Sequence, residues 1–103
     1  MRIRITDKNP PPTWTPEDLA RRIVDIYYGR REEAFESPTF HPYPEGTPTN
    51  RYQIGGPNNC WLHIDGPGQY TLNFRYSGAM EEEVNVLAAA IRLFAYVDTE
   101  VLP

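Results

Sequence analysis

The stretch "NNCWLHIDGPGQYTLNFRY", residues 58–76, decides the fold. Side chains alternate across a strand, so Cys60, Leu62 and Ile64 point one way and Trp61, His63 and Asp65 the other. After "GPGQ", the residues Tyr70, Leu72, Phe74 and Tyr76 share one face, with Thr71, Asn73 and Arg75 opposite. Two such runs around a Gly-Pro-Gly turn predict an antiparallel hairpin. Matching the apolar faces puts Cys60 in the core as a small hydrophobe. It also places His63 across the sheet from the thiol, and a Cys–His nucleophile needs the two groups within hydrogen-bond reach. What remains outside is a polar, partly aromatic surface of Trp61, His63, Asp65, Asn73 and Arg75, to which Arg51 and Gln53 can add.

Upstream, "RYQIG" (51–55) followed by the turn "GPNN" supplies a third strand, and "MRIRIT" alternates Met1, Ile3 and Ile5 with Arg2, Arg4 and Thr6 as a short strand with one buried face. "DKNPPP" ends it, because proline has no N–H for a ladder. In "WTPEDLARRIVDIYYG", Thr15 is an N-cap, Pro16 suits the first helical position, and Trp14 with Leu19 forms a hydrophobic staple. Leu19, Ile23, Ile26 and Tyr27 fall on one face of that helix, which ends at Gly29 or runs on to Glu36. Residues 37–49, "SPTFHPYPEGTPT", with four prolines and a glycine, read as a connecting loop.

"MEEEVNVLAAAIRLFAYV" (80–97) reads as a second helix, its first turn carrying Glu81, Glu82 and Glu83, where the positive end of the helix dipole favours them. One stripe contains Val84, Leu87, Ile91 and Phe94, and a second, nearly opposite, contains Val86, Ala90, Leu93 and Val97. A helix apolar around most of its circumference is either sandwiched inside the domain or buried against another molecule. The order is therefore β-α-βββ-α: a single α+β domain over residues 1–103, with a three- or four-stranded antiparallel sheet and both helices on one face.

Composition narrows the functional classes. The formal charge of −4 is unevenly distributed: residues 1–36 carry seven basic and seven acidic groups, whereas residues 37–103 carry three arginines and seven acids. Such a balance disfavours phosphate backbones and favours a basic protein partner. One cysteine forms no internal disulfide, and there is no zinc-type Cys/His set. A metal held by His41, His63 and Asp65 would need the loop to fold back. No phosphate loop, GxSxG or HExxH occurs, so neither a catalytic residue nor a cofactor is assigned. The N-terminus lacks an apolar leader and no apolar run reaches membrane-spanning length, which predicts a cytoplasmic setting.

The order helix, three strands, helix over about residues 15–97 resembles the double-stranded-RNA-binding domain in topology. Those domains hold phosphates with lysines at the start of the second helix. Here that position reads "MEEE", which repels a duplex. The expectation is thus a small acidic, non-enzymatic protein that blocks or neutralises a larger, basic partner, as toxin-immunity proteins and phage-encoded antagonists of bacterial defence do. Trp61, His63, Asp65, Asn73 and Arg75 would form the contact, with Glu81, Glu82 and Glu83 as a steering patch. The alternative is an assembly subunit that forms a homodimer through Val86, Leu93 and Val97.

Overall fold

The computed structural model describes residues 2–28, 39–41, 51–54, 60–74 and 81–103. Within them the chain runs β1 (Arg2–Thr6), α1 (Pro16–Tyr28), β2 (Thr39–His41), β3 (Arg51–Ile54), β4 (Cys60–Gly66), β5 (Gln69–Phe74), α2 (Glu81–Ala95) and β6 (Asp98–Leu102). The class is α+β, built on an antiparallel sheet. Its strands follow the order β2-β3-β4-β5-β1-β6, so there are six strands where three or four were expected. Two strands are added to the four expected, one paired with a near neighbour in sequence and one with the far end of the chain. Residues 39–41 form a short strand inside the expected loop, pairing with β3, and Asp98–Leu102 forms an edge strand after α2. The remaining expectations for the loop at 37–49, for the end of the first helix beyond Tyr28, and for the turns at 55–59 and 75–80 lie outside the described residues.

The β4–β5 hairpin has the expected register, Leu62 opposite Leu72 and Ile64 opposite Tyr70, with a bulge at Asp65. β1 inserts between β5 and β6. Its Ile3 faces Leu72 and Val101, and its Ile5 faces Tyr70 and Thr99. The sheet therefore has one continuous apolar face. Ile3, Ile5, Ile54, Cys60, Leu62 and Leu72 are fully buried there and join Leu19, Ala20 and Ile23 of α1 and Val84, Leu87, Ala88 and Ile91 of α2 in one cluster. Each fully buried aliphatic side chain contributes roughly 1.5–3 kcal/mol over its exposed state.

Both helices are tied at their ends. The Thr15 hydroxyl accepts a hydrogen bond from the Asp18 N–H at 3.2 Å, the N-cap expected from the sequence. α2 ends at Ala95, and Tyr96 just beyond it, with a positive φ of 57°, closes the last turn. The Trp14 indole donates to the Ala95 carbonyl at 2.7 Å, and the Arg22 guanidinium donates to the Phe94 carbonyl at 3.1 and 3.2 Å. These donors satisfy carbonyls that a helix C-terminus leaves open, and Arg22 also suits the negative end of the dipole. Here the structure corrects the second apolar stripe. The helix stops before Val97, which is only 4% exposed and sits in the core, so it cannot share a free surface with Val86 and Leu93. Phe94, expected in the buried stripe, is exposed, because Ala95 takes the inward position at the capped end.

Candidate functional site

The sheet face away from the helices carries the side chains with the most chemistry. Strand pairing sets them in rows. Arg51, His63, Thr71, Arg4 and Glu100 lie across β3, β4, β5, β1 and β6, and Trp61, Asn73 and Arg2 lie in the next row across β4, β5 and β1. Neighbouring strands are spaced by ~4.8 Å and same-face residues along a strand by ~7 Å, so these groups share one continuous surface. At its centre the Arg51 guanidinium lies over the Trp61 ring, 3.9 Å from the centroid. A cation on an indole face is attracted by the ring quadrupole, and the stack fixes the orientation of both side chains. The Arg4 guanidinium pairs with Glu100 at 3.4 Å, an exposed ion pair of small energetic weight.

Of the residues expected at the contact, Trp61, His63, Asp65 and Asn73 come together on this face. Asp65 occupies the bulge, where its carboxylate accepts a hydrogen bond from the Thr71 hydroxyl at 2.5 Å. Arg75 lies outside the described residues. Glu81, Glu82 and Glu83 are exposed in the first turn of α2, which belongs to the helix layer, and the sheet separates that layer from Trp61. Arg2 and Arg4, which the sequence alone left unassigned, join the face because β1 inserts beside β5.

His63 has its imidazole held below its ordinary pKa, first by burial and next by the Arg51 charge, with Asp65 acting in the opposite direction. The ring is neutral at pH 7. Cys60, in contrast, projects into the core, is fully buried, and has its thiol pushed up to about 12 by burial. Its Sγ lies 3.8 Å from the Ile54 carbonyl. A thiol held neutral in the core is no nucleophile. The register places His41 opposite Arg51 and Arg51 opposite His63. Among the described residues, no three His, Cys, Asp or Glu side chains gather to hold a metal, and no helix is long and apolar enough to cross a membrane.

A second site that the sequence reading missed lies at the end of β1. Asp7 is 5% exposed, and its carboxylate accepts the backbone N–H of Trp14 at 3.0 Å and, more weakly, that of Asn9 at 3.4 Å. Its own N–H donates to the Gly68 carbonyl at 2.8 Å. The signal for it was Asp followed two residues later by Asn in "DKNPPP", a local side-chain-to-backbone turn. Its role is structural: it joins β1, the approach to α1 and the β4–β5 turn.

Comparisons of the chain with protein-family models, with curated proteins and with solved structures find no match. The functional reading therefore rests on the geometry.

Proposed function

We propose that this chain is a small non-enzymatic binding protein that engages a larger protein through the open face of its sheet, and that by occupying that partner's surface it blocks or neutralises it. Toxin-immunity proteins and phage-encoded antagonists of bacterial defence work in this manner, and the likeness to them is one of class. The observation that carries the reading is the Trp61–Arg51 stack on the polar face of the sheet, away from the helices. Tryptophan and arginine are the side chains most enriched at interface hot spots, and a rigid, oriented pair loses little conformational entropy when it is buried. The burial of Cys60 on the opposite side argues against a reactive thiol at this surface.

The test is affinity capture from a bacterial lysate with wild type, Trp61→Ala and Leu93→Glu, each checked by circular dichroism. The proposal expects Trp61→Ala to lose the partner with its fold intact and Leu93→Glu to retain it. A truncated anchor typically costs about 2 kcal/mol or more, roughly thirtyfold in affinity. Equal capture by Trp61→Ala would move the recognition surface off this face.

A second reading is favoured by a different observation: Val86 is 64% and Leu93 65% exposed, one heptad apart on α2. In that reading the chain is an assembly subunit that pairs through this helix. A homodimer in solution that Leu93→Glu converts to a folded monomer would establish it, and a wild-type monomer at high concentration would end it.

A further inference from the structure

We propose that a cleft on the helix side of the sheet, between the approach to α1 and the β4–β5 turn, binds a proline-containing segment of another protein. This surface is separate from the sheet face of Trp61 and gives the chain a second binding site. The cleft has a volume of about 430 Å³, within the ~300–1,000 Å³ typical of ligand pockets. Pro12, Trp14 and Pro16 form one wall, Ile64, Pro67 and Gly68 the other, and Tyr70 of β5 completes it. The walls are fixed before any ligand arrives. The Asp7 carboxylate accepts the Trp14 N–H at 3.0 Å while the Asp7 N–H donates to the Gly68 carbonyl at 2.8 Å, so one residue fastens both sides. The Trp14 indole donates to the Ala95 carbonyl at 2.7 Å, which sets the orientation of its ring. A preformed site loses little conformational entropy on binding.

The lining selects the occupant. None of these side chains carries a charge. The flanking charges are largely engaged: Asp7 by two backbone N–H groups, Lys8 with Asp98, Glu17 with Arg21, and Asp65 with the Thr71 hydroxyl. The exposed Asp18 carboxylate, in the first turn of α1, disfavours an acidic ligand, so a neutral one fits best. Hydrogen-bonding capacity is equally narrow. Proline contributes no N–H, and both N–H groups of Trp14 are spent on Asp7 and Ala95. Tyr70 is 2% exposed, and its hydroxyl has no hydrogen-bond partner among the described residues. A phenol so placed offers one donor, which a ligand carbonyl can accept. A prolyl segment matches these terms. Its tertiary amide accepts a hydrogen bond and brings no N–H to be buried, and its ring packs against aromatic and proline walls. Such segments are already extended and dock in aromatic-lined grooves. Pro12 and Pro67 are exposed at the rim, which leaves the cleft open to a chain running across it.

The experiment titrates the full chain with three probes: blocked hexaproline, a blocked hexapeptide of alternating Ala and Ser, and phenol. The two indole N–H resonances report on binding. Trp14 lines the cleft, and Trp61, on the opposite face of the sheet, is the internal control. Hexaproline should move the Trp14 resonance and leave Trp61 in place, and the Ala–Ser peptide at the same concentration should move neither. Tyr70→Phe keeps the ring and loses only the donor. It should melt with wild type, since no bond within the chain is broken, and bind hexaproline about fivefold more weakly, the worth of one neutral hydrogen bond. Pro12→Ala, at the exposed rim, should also weaken binding. Equal binding of the Ala–Ser peptide overturns the proposal, as does a Trp14 resonance that hexaproline leaves unmoved. A Trp14 response to phenol alone would make the cleft a small-molecule site and overturn the peptide assignment. Wild-type affinity in Tyr70→Phe, or a lowered melting temperature, would show that the hydroxyl does not serve a ligand. Capture by Trp61→Ala tests the sheet face and hexaproline tests this cleft, so each can fail alone.

Discussion

Replacing Asp7 with alanine removes a buried carboxylate that ties the end of β1 to the approach to α1, while the backbone N–H of residue 7 keeps its bond to the Gly68 carbonyl. The magnitude follows from its contacts. The bond to the Trp14 N–H, at 3.0 Å, is charge-assisted and short, whereas that to Asn9, at 3.4 Å, is at the weak end of the range. Hydrogen bonds to charged groups contribute about 1.5–3 kcal/mol, and the substitution also leaves the partly buried Trp14 N–H without its acceptor. A loss of about 2–3 kcal/mol is expected. For a domain of this size 1 kcal/mol moves the melting temperature by ~4–8 °C, so Asp7→Ala should melt roughly 10–20 °C below wild type. Asp7→Asn keeps a carbonyl oxygen able to accept the Trp14 N–H and should lose about half as much.

Two further measurements separate this from a generic core defect. The Tyr70 phenol has its pKa raised by burial first and by the Asp7 charge next, so spectrophotometric titration of Asp7→Ala should find Tyr70 ionising at lower pH than in wild type. Gly68 lies at φ 69°, and a Cβ placed on it would stand 2.5 Å from the Asp7 carbonyl oxygen. Gly68→Ala therefore disturbs the same corner by backbone strain and contact. Its effect should combine with that of Asp7→Ala to less than the sum, as expected for neighbours sharing one interaction. Melting of Asp7→Ala within about 3 °C of wild type, a small fraction of the expected shift, would refute the reasoning.

Cys60, fully buried and with its thiol pushed up to about 12, should react with thiol reagents only under denaturing conditions; fast native labelling would contradict its placement. His63, whose pKa is lowered in the folded state, makes stability depend on pH in a defined direction. Above its ordinary value of about 6.5 the ring is neutral in both states and contributes nothing. As pH falls through that value the unfolded chain takes up the proton first, so stability declines, and the decline levels off below the folded value. Urea midpoints for wild type and His63→Asn should therefore converge at about pH 7.5 in slope and diverge towards about pH 5.5, with wild type falling more steeply.

The parts of the fold legible in the sequence were those specified locally. The alternation in residues 60–74 fixes which face of the hairpin is buried, and Thr15-Pro16 marks a helix start because it satisfies an N–H within one turn. The position of β1 was not legible. Ile3 and Ile5 announce a strand with one apolar face, but nothing in "MRIRIT" chooses β5 and β6 as its neighbours over β3; the choice is made by long-range packing of Ile3 on Leu72 and Val101. The same blind spot hid part of the candidate site, since Arg2 and Arg4 join that sheet face only once β1 is placed. β6 was missed because five residues, "DTEVL", follow directly on a strongly apolar helix whose period seemed to carry through Val97. The break is a left-handed turn at Tyr96, a conformation that its residue type does not signal.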